Sequence, residues 1–317
     1  MALDILTFGE ALVEVMRTDL DQPLDQPALF TGPYPSGAPF IFAAQAARLG
    51  AQVGAIGAVG ADAFGRCLLD QLHTDGIETS GVRMLDTHTT GVAFVAYESS
   101  GARDFVFHVR GAAAGQLTPD LLDERLFTDL KLLHIMGSTL SIHEAALAMG
   151  LRSLELARQT GAKISFDPNL RPQLMPNSQA KAAFAPFIAA ADILIPTSEE
   201  AKLLTGTDDE TAAVDVLLAQ RPERIVVITR GAAGCTVYTQ DQVATIPGFT
   251  IEEIDPTGAG DCFDAGFVVR WLAGDAPAEA ARFANACGAL AVNAKGPMAG
   301  ARPLKEVHAF ITSSHSQ

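Results

Sequence analysis

A chain of 317 residues with 37 acidic and 22 basic side chains carries a formal charge of −15. That balance excludes a nucleic-acid-coating surface, which needs clustered Lys and Arg. It also means that an anionic substrate must be held by a local patch acting against the overall field. The apolar fraction of 48% belongs to a globular protein with room for a large core, and no run approaches the roughly 18 apolar residues of a membrane span.

The opening Met1-Ala2-Leu3-Asp4-Ile5-Leu6 holds an acid and no basic region, so it reads as a first strand over 3–8 and not as a signal peptide; the expected compartment is the cytoplasm. Two further strands, 11–17 and 27–34, follow without a helix between them. A helix over 38–49, a strand over 52–59 and a helix over 64–74 come next. A second helix-free pair, 91–97 and 104–110, is joined by a hairpin turn at Ser99-Ser100-Gly101-Ala102. Strands at 131–136, 163–167, 192–195 and 225–229 then alternate with helices at 143–159, 178–190, 199–204, 211–219, 261–273 and 277–294. This alternation predicts an α/β fold, a mostly parallel sheet with helices on both faces, whose site lies beyond the carboxyl ends of the strands. The two irregular pairs predict a small separate β-sheet, so that one domain over 1–317 carries a discontinuous lid from about 11–34 and 89–112. Residues 312–317 read as a frayed tail. Cys67, Cys235, Cys262 and Cys287 are widely spaced, with no C-x-x-C pair and no nearby His, and read as buried thiols.

The most informative run is Asp255-Pro256-Thr257-Gly258-Ala259-Gly260-Asp261, which opens an apolar helix. Helix N-termini expose unsatisfied backbone N–H groups and carry about half a positive charge, and Gly258 and Gly260 let that backbone approach an anion. Asp261 would be repelled by an anion there unless it has a proton to take; otherwise it is a helix-start residue. No Gly-x-x-x-x-Gly-Lys-Ser/Thr occurs, and no Gly-x-Gly-x-x-Gly follows the first strand, which sets aside a Walker-type site and a dinucleotide enzyme. Gly54, Gly57 and Gly60 have the wrong spacing for the latter and read as turn and packing glycines.

The 255–261 run resembles the C-terminal signature of the ribokinase (PfkB-type) family of carbohydrate kinases, whose usual form is Asp-Thr-x-Gly-Ala-Gly-Asp. Ser36-Gly37-Ala38-Pro39-Phe40-Ile41, the Ala-rich helix after it and Gly57-Ala58-Val59-Gly60-Ala61-Asp62-Ala63-Phe64-Gly65 resemble that family's N-terminal signature. Ser36 stands where the family has Gly, and Ile41 where it has a sugar-binding Asn. The resemblance implies a ribokinase-like fold and an ATP-dependent sugar kinase. It implies Gly258, Ala259 and Gly260 as the anion hole, Asp261 as the catalytic base and Arg171, in Asp167-Pro168-Asn169-Leu170-Arg171, as the residue that balances charge on the transferred phosphate. Glu14, Gly37, Ala38, Asn169 and, in the lid, His108 and Arg110 are then implied at the substrate. Alternation puts His108 and Arg110 on one strand face, opposite Phe107 and Val109; the competing reading is an exposed basic face.

For the nucleotide, Thr229, Gly231 and Gly234 in Thr229-Arg230-Gly231-Ala232-Ala233-Gly234, joined by Asn285, resemble the family's ATP wall. Thr197-Ser198-Glu199-Glu200 matches its Asn-x-x-Glu helix start. That implies Glu200 as an organiser of water around Mg²⁺, although a capping box alone would explain Thr197 and Glu200. Some relatives hold a monovalent cation near the position of Asp255, and some dimerise through the lid. A nucleoside kinase of the same fold and a sugar-sensing pseudokinase without turnover stay open as alternatives. The expected partners are a small-molecule sugar and a second copy of the chain, not nucleic acid or membrane.

Overall fold

The computed structural model describes residues 2–314. In chain order its strands are β1 (Ile5–Phe8), β2 (Leu12–Arg17), β3 (Phe30–Ser36), β4 (Val53–Gly60), β5 (Glu78–Leu85), β6 (Gly91–Tyr97), β7 (Arg103–His108), β8 (Leu132–Met136), β9 (Lys163–Asp167), β10 (Ile193–Leu194), β11 (Ile225–Thr229), β12 (Cys235–Tyr238) and β13 (Val243–Ile246). The helices are α1 (Ala38–Arg48), α2 (Ala63–Thr74), α3 (Gly137–Leu140), α4 (Glu144–Thr160), α5 (Asn177–Ala190), α6 (Ser198–Thr205), α7 (Glu210–Gln220), α8 (Ala259–Leu272), α9 (Pro277–Val292) and α10 (Leu304–Ser314). Among the described residues, no helix is long and apolar enough to cross a membrane.

Nine strands form the main sheet in the order β13-β12-β11-β10-β9-β8-β1-β4-β5. Neighbours are parallel from β5 to β11, and the β11-β12-β13 edge is antiparallel. Side chains alternate along each strand, so one strand feeds two cores: Val226 and Ile228 pack with α4 to α7, whereas Val227 packs with α1, α8 and α9. The parallel strands are buried on both faces and read as continuous apolar runs. β5 was not predicted, because as an edge strand it is mostly exposed and polar. β13, at the other edge, escaped for the same reason: only Ile246 of its four residues is buried.

α8 is buried along most of its length, from Asp261 to Val268. It lies against α9 where Gly266 leaves no room for a side chain: a Cβ there would come within 2.9 Å of Cys287 Sγ and 3.0 Å of Ala284 Cα. The expected frayed tail is corrected in part. Residues 312–314 continue α10, which is anchored by fully buried Val307 and by Phe310 against Phe249, and residues 315–317 lie outside the described residues.

The smaller sheet has the order β3-β2-β6-β7, with β2 and β6 parallel and the outer pairs antiparallel. β3 begins at Phe30 and not at 27 because the preceding loop is organised by Arg17, whose Nη2 donates to Pro23 O and Gln26 O at 2.8 and 2.5 Å. The chain re-enters this sheet beside the Gly60 to Gly65 segment. Asp62 caps α2 by accepting from Phe64 N and Gly65 N, and it also accepts from Thr90 N and Thr90 Oγ1. Thr90 Oγ1 in turn accepts from Gly60 N. The glycines are there because a Cβ on Gly65 would stand 2.1 Å from Gly60 O, and one on Gly60 2.5 Å from Thr90 N. This segment of the N-terminal signature is therefore the joint between the two sheets.

Partial burial pulls the Asp62 carboxyl up, but the Thr90 and Gly65 donors outweigh it and hold the group below its ordinary value. Its contribution to stability is therefore present above pH 4 and lost as pH falls below that. Asp62→Ala should lower stability by about 1–2 kcal/mol at pH 7, with the difference shrinking below pH 4. Chemical denaturation at the two pH values measures it, and an equal difference at both would contradict the account.

Candidate active site

A cavity of about 300 Å³ opens at the carboxyl edge of the main sheet, under the smaller sheet. Strand ends supply much of its floor: Glu10 after β1, Ser138 after β8, Asp167 and Asn169 at β9, Thr197 after β10 and Thr229 at β11. Gly258, Ala259, Gly260, Asp261 and Asp264 come from α8, and Glu14, Arg103, Phe105 and Phe107 from the smaller sheet.

α8 begins at Gly258, whose left-handed φ of 85° is needed because a Cβ would lie 2.5 Å from Pro297 O. Gly260 differs, since a Cβ there would meet nothing within 4 Å. Its backbone borders open space in the cavity, into which a side chain would project. Asp261 is 8% exposed. Burial pushes its carboxyl up to about 7; Arg171 draws it down, Glu10 pushes it up and Arg103 draws it down. The site thus holds a carboxyl that exchanges its proton near neutrality beside a row of backbone N–H groups.

Glu14 is also buried and pushed up to about 7, by burial first. Its Oε1 accepts from Ser36 Oγ at 2.6 Å, and its buried Oε2 has no protein partner. The hydroxyl at position 36, a departure from the family signature, thus fixes the Glu14 side chain. Glu10 accepts from Ser138 Oγ at 2.8 Å and Thr139 Oγ1 at 2.6 Å, and burial raises its carboxyl too. Gly37, at φ 106°, packs directly on it, since a Cβ would be 2.0 Å from Glu10 O.

Asp167 and Asp264 are a buried, mutually interacting pair of carboxyls. Burial raises Asp167 well above the usual range, helped by Glu200 and Asp261; burial and Asp167 do the same to Asp264. Asp264 Oδ2 lies 3.8 Å from Nε2 of His134, which burial holds down to about 3 and therefore neutral. Asn169, at a left-handed φ of 37°, donates its N–H to Asp167 Oδ1 at 2.9 Å. Glu200 closes a capping box with Thr197 and also accepts from Leu170 N at 2.8 Å, so it holds the segment that carries Arg171.

The expected residues Glu14, Gly37, Ala38, Asn169, Arg171, Glu200, Thr229, Gly258, Ala259, Gly260 and Asp261 all line this cavity, as does Ile41. His108, Arg110, Gly231, Gly234 and Asn285 do not. The alternation along β7 is as expected, but the face turned to the cavity is Arg103, Phe105 and Phe107, continued by Val109. His108 instead meets Phe94 edge-on, and Arg110 donates to Ile142 O at 2.8 Å and to Leu174 O. The glycine at 234 is required by the approach of Ile246 O, 2.2 Å from where a Cβ would be. Asn285 Nδ2 donates to Ile246 O and Pro247 O. Glu10, Arg103 and Asp264 were missed; Arg103 was signalled by its two-residue spacing from Phe105 and Phe107.

A doubly wound sheet whose strand ends and one helix start line a single cavity, with a buried aspartate raised to about 7 there, is the architecture of an α/β enzyme. The model of the pfkB family carbohydrate kinases matches residues 3–303, and the chain belongs to that family, whose members are ATP-dependent sugar kinases. It is 32% identical over 302 residues to Fructokinase-1 of Zea mays, covering 92% of each chain. It is 33% identical over 303 residues to Fructokinase-2 of Solanum habrochaites, covering 92% of this chain and 91% of the other. The fold is ribokinase-like. A putative Ribokinase II from E. coli, solved in complex with ATP and Mg²⁺, superposes with a TM-score of 0.93 at 37% identity over 98% of this chain and 99% of that one. A Vibrio cholerae fructokinase double mutant, with fructose, ADP and potassium bound, gives 0.85 at 27% identity over 98% of both chains.

A carboxyl raised by burial keeps its proton in the folded state, so stability falls as pH rises from about 4.5 through 7. Glu14→Gln removes that liability. The variant should lose less stability than the parent between pH 5 and 8, and at pH 8 it should be the more stable by on the order of 3 kcal/mol. Denaturant melts at the two pH values decide this, and parallel pH dependence in both proteins would refute it.

Proposed function

We propose that this chain transfers the γ-phosphate of ATP to a primary hydroxyl of a ketose or keto-sugar acid, with Asp261 as the base. The observation that carries this reading is the buried Asp261, poised near neutrality, beside Gly260 and the open space its missing side chain leaves. Asp261 takes the hydroxyl proton as the oxygen attacks phosphorus, and the proton leaves to solvent after product release. The amides of Gly258, Ala259 and Gly260 and the Arg171 guanidinium meet the charge on the phosphoryl oxygens, where positioning and charge matter more than covalent help.

Glu14, Gly37, Ala38 and Asn169 bound the sugar, with Arg103 above it, and the smaller sheet acts as a lid that excludes water. Arg103 takes the substrate role that the sequence suggested for His108 and Arg110, and it is the lid cation that would meet a sugar carboxylate. Thr229 and the turn at Gly231 and Gly234 border the nucleotide, with Asn285 bracing that wall from behind. Glu200, which faces the cavity, would hold Mg²⁺ through water; when bound, the ion neutralises phosphate charge. Among the described residues Asp255 accepts from neutral donors, Tyr97 Oη, Thr257 N and Gly296 N, and its carboxyl oxygens are the ones that would meet a monovalent cation such as the potassium of the Vibrio enzyme. Half-exposed Phe30 and Val106 on the smaller sheet support a homodimer through the lid.

ADP release measured with fructose, tagatose, 2-keto-3-deoxygluconate and a nucleoside separates the readings. Turnover on a ketose or keto-acid is expected; nucleoside preference, or binding without turnover, would overturn the assignment. Asp261→Asn should lower kcat by ~10²–10⁴-fold with KM values within a few-fold of the parent. Activity close to the parent's would remove Asp261 as the base.

A further inference from the structure

The last residue of β6 reaches out of the smaller sheet to the loop that builds the anion cradle. Tyr97 Oη lies 2.8 Å from Asp255 Oδ1 and 3.0 Å from Thr257 Oγ1. A carboxylate only accepts, so the phenol proton goes to Asp255 and the Thr257 hydroxyl donates to the phenol oxygen. Thr257 N donates to the same Asp255 oxygen at 3.0 Å and closes the ring, while Gly296 N donates to the other at 2.9 Å. Asp255 is 2% exposed and Thr257 7%. Burial and the Asp255 charge push the Tyr97 phenol above its ordinary value, so it stays a donor.

Thr257 immediately precedes Gly258, and Gly258 packs on Pro297, so segments 255–258 and 296–297 form one body. A second tyrosine of the smaller sheet, Tyr34, also abuts this body: a Cβ on Gly296 would stand 2.8 Å from its ring. Its hydroxyl, however, bonds Thr31 within its own sheet at 2.9 Å. The hydroxyl of Tyr97 therefore links the two parts by a polar bond, whereas Tyr34 only packs.

We propose that Tyr97 is a positioning residue for phosphoryl transfer: through Asp255 and Thr257 its hydroxyl couples the seating of the smaller sheet to the shape of the Gly258–Gly260 amide cradle. The inference rests on the kinase reading for its kinetic consequence but not for its structural one. A cradle displaced by about 1 Å costs up to ~10²-fold in rate, without removing any group that holds the sugar.

The test uses Tyr97→Phe, which keeps the ring and its packing, with Tyr34→Phe as control and Thr257→Val as a second route to the same ring of bonds. Amide deuterium exchange over 257–262 is measured without substrate, and kcat and KM with whichever sugar the panel identifies. Tyr97→Phe and Thr257→Val should each speed exchange in that segment and lower kcat ~10–100-fold, with sugar KM within about 3-fold. The double variant should be no slower than the worse single, and Tyr34→Phe should match the parent in both readouts. Unchanged exchange in Tyr97→Phe overturns the proposal, as does a loss of rate shared equally by Tyr34→Phe, or one that adds independently to that of Thr257→Val. If the parent phosphorylates nothing in the panel, the kinase reading fails while the exchange measurement still judges the coupling.

Discussion

The rest of the site depends on the burial of Asp261 at the start of a helix that has almost no solvent face. α8 is buried from Asp261 to Val268, and Gly266 lets α9 lie directly on it, so the packing fixes where its first turn points. That turn carries unsatisfied N–H groups and a carboxyl together. In water the carboxyl would be ionised far below neutrality and would repel a phosphate. Here burial lifts it to about 7, and Arg171 keeps it from rising further. One placement thus sets unsatisfied backbone N–H groups beside a carboxyl raised to about 7.

The carboxylates around it divide by what satisfies them. Glu10 and Glu200 are pinned by hydroxyl and amide donors and serve to hold loops, whereas burial raises Asp167 and Asp264 well above the usual carboxyl range. Among the described residues, Glu14 keeps one buried oxygen without a protein partner, and burying such an atom is costly unless something else bonds it. Hydrogen bonds join the smaller sheet to the larger unit through Asp62 and Thr90 at its base and through Tyr97 at its far end.

Much of this was legible in the sequence. The parallel strands announced themselves as apolar runs, and Gly258 to Asp261 stood out because glycines and an acid at a helix start have a chemical meaning. What stayed hidden is instructive. Alternation divides 103–109 into two faces but does not say which one meets the cavity, so His108 and Arg110 were expected where Arg103, Phe105 and Phe107 stand. β5 and β13 lie toward the edges of the main sheet and lack the apolar signature of its centre. Glu10 and Asp264 look like any acid on a strand end or a helix until tertiary contact brings them to the cavity. Ser36 read only as a departure from a motif, and the hydrogen bond it donates to Glu14 shows what its hydroxyl does.

The central claim is that the proton on Asp261 governs transfer. The most direct measurement is the pH dependence of kcat/KM for the preferred sugar in the parent, in Arg171→Met and in Glu14→Gln. The account predicts activity that rises with pH through a midpoint near 7 in the parent. That midpoint should move upward in Arg171→Met, because the charge that favours the carboxylate is gone, and the rise should persist in Glu14→Gln. A flat profile between pH 5.5 and 8.5, or a midpoint indifferent to Arg171, would contradict it.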